Sequence, residues 1–200
     1  KRELTGCQSD VTVKCIPDVP GVATVTPRDN CDGVLTPGFS ETPSGTDCNK
    51  TIVRTWTATD TCGNTISCSQ TIRVVDNTGP SLTKGSIAAC YADVASAEAA
   101  AKAATTKSDN CGGTVSLSAG TVGDCNAVIT ATGTDGCGNT ASVTYNTRID
   151  STKPELTGCP SDVTVQCLAD VPVAASVTAN DNCVGALTPE GYDAAFDAIL

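Results

Sequence analysis

The sequence predicts an all-β protein: tandem immunoglobulin-like β-sandwiches stapled by disulfides. Three observations carry this expectation. Apolar residues recur at every second position, 13 cysteines stand in a chain without a single histidine, and long stretches of sequence are written more than once.

The period of two is clearest near the start. In "DVTVKC", Val11, Val13 and Cys15 fall on one side, and Asp10, Thr12 and Lys14 on the other. In "ISCSQTIRVV", Ile66, Cys68, Ile72 and Val74 alternate with Ser67, Ser69, Thr71 and Arg73. The threonine-rich "TIVRTWTATD" continues the pattern. Such segments, separated by Gly, Asn and Asp turns, predict a sandwich of about seven strands. Trp56 is expected in the core, with a ligand platform as the alternative, since its counterpart in the second repeat is Ala131. One segment breaks the period. "DVASAEAAAKAAT" (93–105) is rich in alanine and other helix formers, and predicts a short surface helix inserted in the second repeat as solvated cover over a sheet edge, with a partner-binding helix as the alternative.

The composition narrows the class. Of the 200 residues 40 % are hydrophobic but only 3 % aromatic, so the cores must be built from Val, Ile, Ala and Thr. The cysteines, without histidine or a C-x-x-C pair, lack zinc and iron–sulfur ligand spacing and point to an oxidising, extracellular or cell-surface setting. A net charge of −10 argues against a nucleic-acid partner. No apolar run reaches the roughly 20 residues of a membrane span. With no histidine and with its acids in turn words, the chain offers no catalytic site, and the expectation is a non-enzyme. The chain also lacks methionine and starts at Lys1, which suggests a processed product or a window on a longer polypeptide.

The repeats set the organisation. Glu3–Pro37 aligns without gaps with Glu155–Pro189, sharing "ELTGC", "SDVTV", "DVP" and "DNC". A fainter copy lies between: "TDTCGNT" (59–65) returns as "TDGCGNT" (134–140), "DNCDG" (29–33) as "DNCGG" (109–113), and "VDNTGP" (75–80) as "IDSTKP" (149–154). Repeats of this kind are one supersecondary unit used several times. The expected domains are 1–78, 79–152 with the helical insert, and 153–200, the first part of a third. The joints are D-x-T-x-P, too short to be flexible linkers.

Six cysteines in the first repeat allow 15 connectivities, and the second repeat narrows them. It keeps Cys90, Cys111, Cys125 and Cys137, matching Cys15, Cys31, Cys48 and Cys62, while the equivalents of Cys7 and Cys68 are Gly85 and Val143. The joint loss of both predicts Cys7–Cys68. Sandwich topology assigns the rest within each repeat. The "DNC" and "TCGN" turns share one end, giving Cys31–Cys62 and Cys111–Cys137; the opposite end gives Cys15–Cys48 and Cys90–Cys125. Cys159, Cys167 and Cys183 of the third repeat are left unpaired. That repeat also lacks the strands that finish a sandwich, so either the chain continues past Leu200, which is favoured, or a neighbouring subunit donates them. The tail "YDAAFDAIL" has helical character and supplies no strand.

Asp29, Asp60, Asp109, Asp135 and Asp181 open the repeated turn words, where aspartate stabilises a turn through its own backbone. A calcium site shared by these loops is the functional alternative. Asn49-Lys50-Thr51 is the N-x-[ST] sequon and makes Asn49 a glycosylation candidate. The outward threonines Thr55, Thr57 and Thr59 are read as β-formers, with O-glycosylation as the alternative.

Taken together, D-x-T-x-P, "GCPSDVTVQC", "DNC", "RTWTATDTCGN" and "CSQTIRV" resemble the motifs of hyalin-repeat (HYR) domains, especially cysteine-rich HYR-like repeats of large secreted and surface proteins. The resemblance implies immunoglobulin-like sandwiches in tandem arrays and a role in adhesion or extracellular architecture. It also implies a pair at Cys7 and Cys68, and transfers no catalytic residues. The expected function is an extracellular structural protein, a repeat-built fibre, stalk or appendage subunit. Its partners would be copies of itself, further repeats, or glycans. The alternative is a carbohydrate- or calcium-binding adhesion module acting through the sandwich-end loops.

Overall fold

A computed structural model describes residues 2–173 and 175–188. The "YDAAFDAIL" tail lies outside the described residues. The first repeat holds β1 (Glu3–Thr5), β2 (Val11–Val13), β3 (Thr26–Asp29), β4 (Gly33–Val34), β5 (Gly38–Thr46), β6 (Asn49–Thr59) and β7 (Thr65–Val75). They form two sheets, β1-β3-β4 and β2-β7-β6-β5, the seven-strand sandwich that the alternation predicted. β2 runs parallel to β7, Val11 opposite Ile72 and Val13 opposite Val74, and β5, β6 and β7 form an antiparallel meander.

The inward face of β6 carries Ile52, Arg54, Trp56 and Ala58, all buried, and Ile72 and Val74 of β7 are fully buried beside them. Trp56 is therefore core, with the ring of Phe39 5.4 Å away. Arg54 is a buried cation in this row. It is held by Glu41 directly across the strand pair (2.7 Å) and by the carbonyls of Pro20 and Gly21 (2.8 and 3.2 Å), as a buried charge requires. Gly6, at φ +91°, lets β1 approach the chain before β3; a Cβ there would lie 2.4 Å from the Thr24 carbonyl oxygen.

The second repeat holds β8 (Ser81–Lys84), β9 (Cys90–Tyr91), α1 (Val94–Ala104), β10 (Thr105–Ser108), β11 (Ser116–Val122), β12 (Ala127–Thr134) and β13 (Thr140–Ile149). β8 pairs with β10, and the larger sheet runs β11-β12-β13-β9, with β9 parallel to β13. The helix starts where expected. Asp93 caps it, its carboxylate accepting the Ser96 amide at 2.7 Å.

The helix differs from the expected solvated cover. Ala97 and Ala101 are fully buried and form a core with Ile129, Ala131 and Tyr145. Alanines four apart share one helix face, and their small side chains let the backbone approach the sheet until Tyr145 fills the remaining space. Tyr145 bonds through its hydroxyl to Thr105 (2.8 Å), which also donates to the Ala101 carbonyl. The same helix explains the missing disulfide. Gly85, at the position of Cys7, donates its amide to the Ala104 carbonyl at 2.8 Å, and a Cβ on it would lie 2.6 Å from that oxygen. Val143, at the position of Cys68, packs on the helix-bearing core. Where the first repeat uses a disulfide, the second uses helix burial.

The third repeat begins with β14 (Glu155–Thr157), β15 (Thr178–Asp181) and β16 (Gly185–Leu187), a sheet in the order of β1-β3-β4. The "SDVTV" stretch that is β2 in the first repeat forms no strand at 161–165. Among the described residues it has no counterpart of β7 to pair with. By packing, the described residues divide into two compact units: those up to Thr83 with Lys107–Leu117 and Thr132–Ser142, and Lys84–Thr106 with Ser118–Ala131 and the described residues from Val143 on.

Candidate functional site at the repeat joint

The repeated turn words are built alike. In each, an aspartate carboxylate accepts the amide of the cysteine two residues on: Asp29 from Cys31, Asp60 from Cys62, Asp109 from Cys111, Asp135 from Cys137 and Asp181 from Cys183, all at 2.8–3.0 Å. In the longer loops Asp60 and Asp135 also accept the amide and side-chain nitrogen of Asn64 and Asn139. Hydrogen bonds to the charged form lower a carboxyl pKa. The Cys31 amide holds Asp29 below its usual range, the Asn64 side chain does so for Asp60, and the Val184 amide for Asp181. Burial pushes Asp135 up, but Asn139, Cys137 and Gly138 outweigh it and leave it lowered too. These aspartates fix the backbone of each turn at its cysteine.

Four disulfides follow. Cys7–Cys68 ties the end of β1 to β7, bridging the two sheets with a Cα–Cα distance of 6.5 Å. The other three join one repeat to the next: Cys15–Cys111 (4.9 Å), Cys48–Cys137 (5.4 Å) and Cys125–Cys183 (4.8 Å). The expected Cys15–Cys48 and Cys111–Cys137 are thus corrected. Cys15, Cys48, Cys111 and Cys137 line one cleft of about 530 Å³. Sulfurs from two repeats meet there and bond across the joint instead of within each repeat.

The expected Cys90–Cys125 is replaced by Cys125–Cys183, so Cys183 is bonded and Cys90 is free. Register gives the reason. Val13 stands opposite Val74, two residues before Asp76, and Cys15 lies two residues beyond Val13. Cys90 itself stands opposite Arg148, two residues before Asp150. It therefore occupies the place of Val13, short of the end where Cys15 makes its bond. The expected Cys31–Cys62 is also absent. Their loops do share one end, clamped by Thr61, whose amide and hydroxyl donate to Asp32 at 2.8 and 2.9 Å. Both thiols stay free and exposed, as do Cys159 and Cys167.

Sequence reasoning missed the asparagines that follow or precede these cysteines. Asn110 points its amide at the sulfurs of Cys15 and Cys111 (3.3 and 3.1 Å), and Asn182 does the same for Cys183 and Cys125 (3.4 and 3.9 Å). Asn139 donates to the Asp76 carbonyl in the first D-x-T-x-P joint at 3.3 Å. Their presence in every copy of D-N-C and C-G-N was the signal available.

Asp76, Asp109 and the Cys111 sulfur lie within 4.8 Å of one another. Bonded to Cys15, that sulfur is not the thiolate a metal takes. Two carboxylates remain, against the six to eight oxygens calcium collects. Of the other sequence candidates, Asn49 is exposed at the start of β6, Thr57 and Thr59 are exposed, and Thr55 is half-buried. None of them lines the joint cleft.

Residues 5–74 match the family model described as an HYR-like domain with 4 cysteines. No curated protein matches the chain.

Proposed function

We propose, from the premise that residues 5–74 are an HYR-like domain, an extracellular adhesion-type repeat module, that this chain is a load-bearing structural protein: part of a fibre, stalk or appendage. The observation that carries this is the first repeat joint. Two disulfides from Cys15 and Cys48 accompany the main chain through the D-x-T-x-P segment into the next repeat. A binding module needs a shaped site, whereas a load-bearing array needs successive modules that do not come apart. Two covalent ties beside the main chain supply that, and they persist where glutathione is oxidised.

The ligand-binding alternative has less to stand on. Each turn aspartate already accepts the amide of its own cysteine, and the exposed ring of Phe39 lies beside Trp56 in the sandwich. Exposed Asn49 fits an N-glycan on such a surface, and intact mass before and after deglycosylation reads it directly. Negative-stain imaging of the native material tests the main reading. Strings, stalks or fibres of regularly spaced modules are the expected result. Dispersed compact particles at every concentration would refute it.

A further inference from the structure

The first two repeats differ on the inside of their main strands and agree on the outside. Residues 52–70, through the T-D-x-C-G-N turn, align one for one with residues 127–145. The inward side has changed throughout: Ile52, Arg54, Trp56, Ala58, Cys68 and Gln70 stand against Ala127, Ile129, Ala131, Gly133, Val143 and Tyr145. The outward side has hardly changed. Val53, Thr55, Thr57, Thr59, Thr65 and Ser67 return as Val128, Thr130, Thr132, Thr134, Thr140 and Ser142, and Ser69 returns as Thr144. Core substitutions are felt through packing, whereas most surface changes are nearly free. A surface kept while the core beneath it is rebuilt is held by something it touches. Strand propensity does not impose this, because an exposed strand position takes Tyr or Ile as readily as Thr.

In the first repeat the strand pairing lays this side out as a grid. Ser40, Thr55 and Ser69 stand side by side on β5, β6 and β7. Gly38, Thr57 and Ser67 form the row before them, and Thr42, Val53 and Thr71 the row after. Thr59 and Thr65 close one end, hydroxyl to hydroxyl at 3.1 Å. Thr57, Ser67 and Ser69 are exposed and Thr55 is half-buried, while Val53 and Val128 are 37 % and 41 % exposed. The chain holds 22 aspartates and glutamates. The strands of the two larger sheets contain one of them, Glu41, and it faces inward to Arg54.

We propose that the outward face of β5, β6 and β7 is a contact surface for the same face of a second copy of this chain, and that the matching face of the second repeat is another contact of the same kind. Two features name a copy as the occupant. A hydroxyl both donates and accepts, so a hydroxyl face is its own complement, as an isologous contact requires. Copies with a net charge of −10 repel each other, and a face without carboxylates is where they meet with least repulsion. Three strands and the 11 residues of β6 give a face of about 14 Å by 37 Å, roughly 500 Å². That is less than the roughly 800 Å² each partner gives to a standard interface. One face alone therefore binds weakly, and contacts repeated along a string of modules add up. This side-by-side pairing goes beyond the load-bearing reading and does not depend on it.

The test is sedimentation equilibrium of the whole chain from micromolar to millimolar concentration, with its free thiols alkylated so that new disulfides play no part. Asn49 stands on the same side of β6 as Val53, so any N-glycan is removed first. The expected result is reversible self-association that tightens with added salt, which screens the repulsion between acidic copies. Val53→Glu with Val128→Glu brings like charges together and should weaken it by about tenfold or more. Val34→Glu places the same charge on an exposed valine of the smaller sheet and should leave association unchanged. Ser67→Glu with Ser142→Glu repeats the test at two exposed positions, should the valine variants lower the denaturant midpoint. A chain that stays monomeric at every concentration and salt overturns the proposal, as does association indifferent to the face variants or weakened equally by Val34→Glu. Binding of dextran by the parent chain that the face variants lose would assign the face to a neutral polysaccharide and overturn it too. Non-reducing digests report the joint disulfides separately, and their loss would count against the load-bearing reading alone.

Discussion

Cutting the bond between Cys15 and Cys111 tests the joint most directly. The bond spans a sequence separation of 96 residues, and Cys48–Cys137 spans 89. In the chain-entropy picture a loop of that size is worth about 4.7 kcal/mol at 25 °C. The two are not independent, because either bond leaves a shorter closed path for the other, of roughly 60 residues along the chain. The logarithmic dependence keeps the second closure at about 4 kcal/mol. Cys15→Ser should therefore lower the unfolding free energy by about 4 kcal/mol, provided no strain is released.

Magnitude alone does not identify the partner, since a Cys15–Cys48 bond would be worth nearly as much. Coupling does. With the structure's pairing, Cys15→Ser with Cys111→Ser should cost within about 0.5 kcal/mol of either alone, because both remove one bond. Cys15→Ser with Cys48→Ser should cost roughly twice as much, because two bonds are lost. The assay is equilibrium denaturation in non-reducing buffer, with thiol counts on each variant. If Cys15→Ser with Cys48→Ser proves no worse than Cys15→Ser alone, the bond lies within the repeat and the reasoning about the joint fails.

Three other perturbations check the second sandwich and the turns. Tyr145→Phe removes a buried hydroxyl bonded to Thr105 and should cost about 1 kcal/mol by denaturant midpoint. Gly85→Ala should cost more than the usual surface change, because its Cβ meets the Ala104 carbonyl at 2.6 Å; an unchanged midpoint would contradict the helix placement. The turn aspartates Asp29, Asp60, Asp135 and Asp181 have folded pKa values below the ordinary one. Their stabilisation is therefore fully present above about pH 4–5 and lost as pH falls through the folded values. Denaturant midpoints should hold between pH 7 and 5 and drop below about pH 4, with a shallower drop in Asp60→Asn.

The sequence by itself determined the local structure. Val11 and Val13 alternating with Thr12 write a strand, Asp93 ahead of an alanine run writes a capped helix, and aspartate two residues before cysteine writes a turn. Each follows from contacts within a few residues. The Cys7–Cys68 bond was legible for a different reason: the second repeat lacks both halves, a comparison contained in the chain. The tertiary structure alone decided the rest. Alanines at 97 and 101 suit a solvated face or a close-packed one equally, and only the sheet beneath them, with Tyr145 in the gap, makes them core. The partners of Cys15, Cys48 and Cys125 depend on which end of one repeat meets which loops of the next. Local periodicity carries no term for that contact, because a disulfide needs two Cα atoms within about 7 Å, and sequence separation does not report that distance.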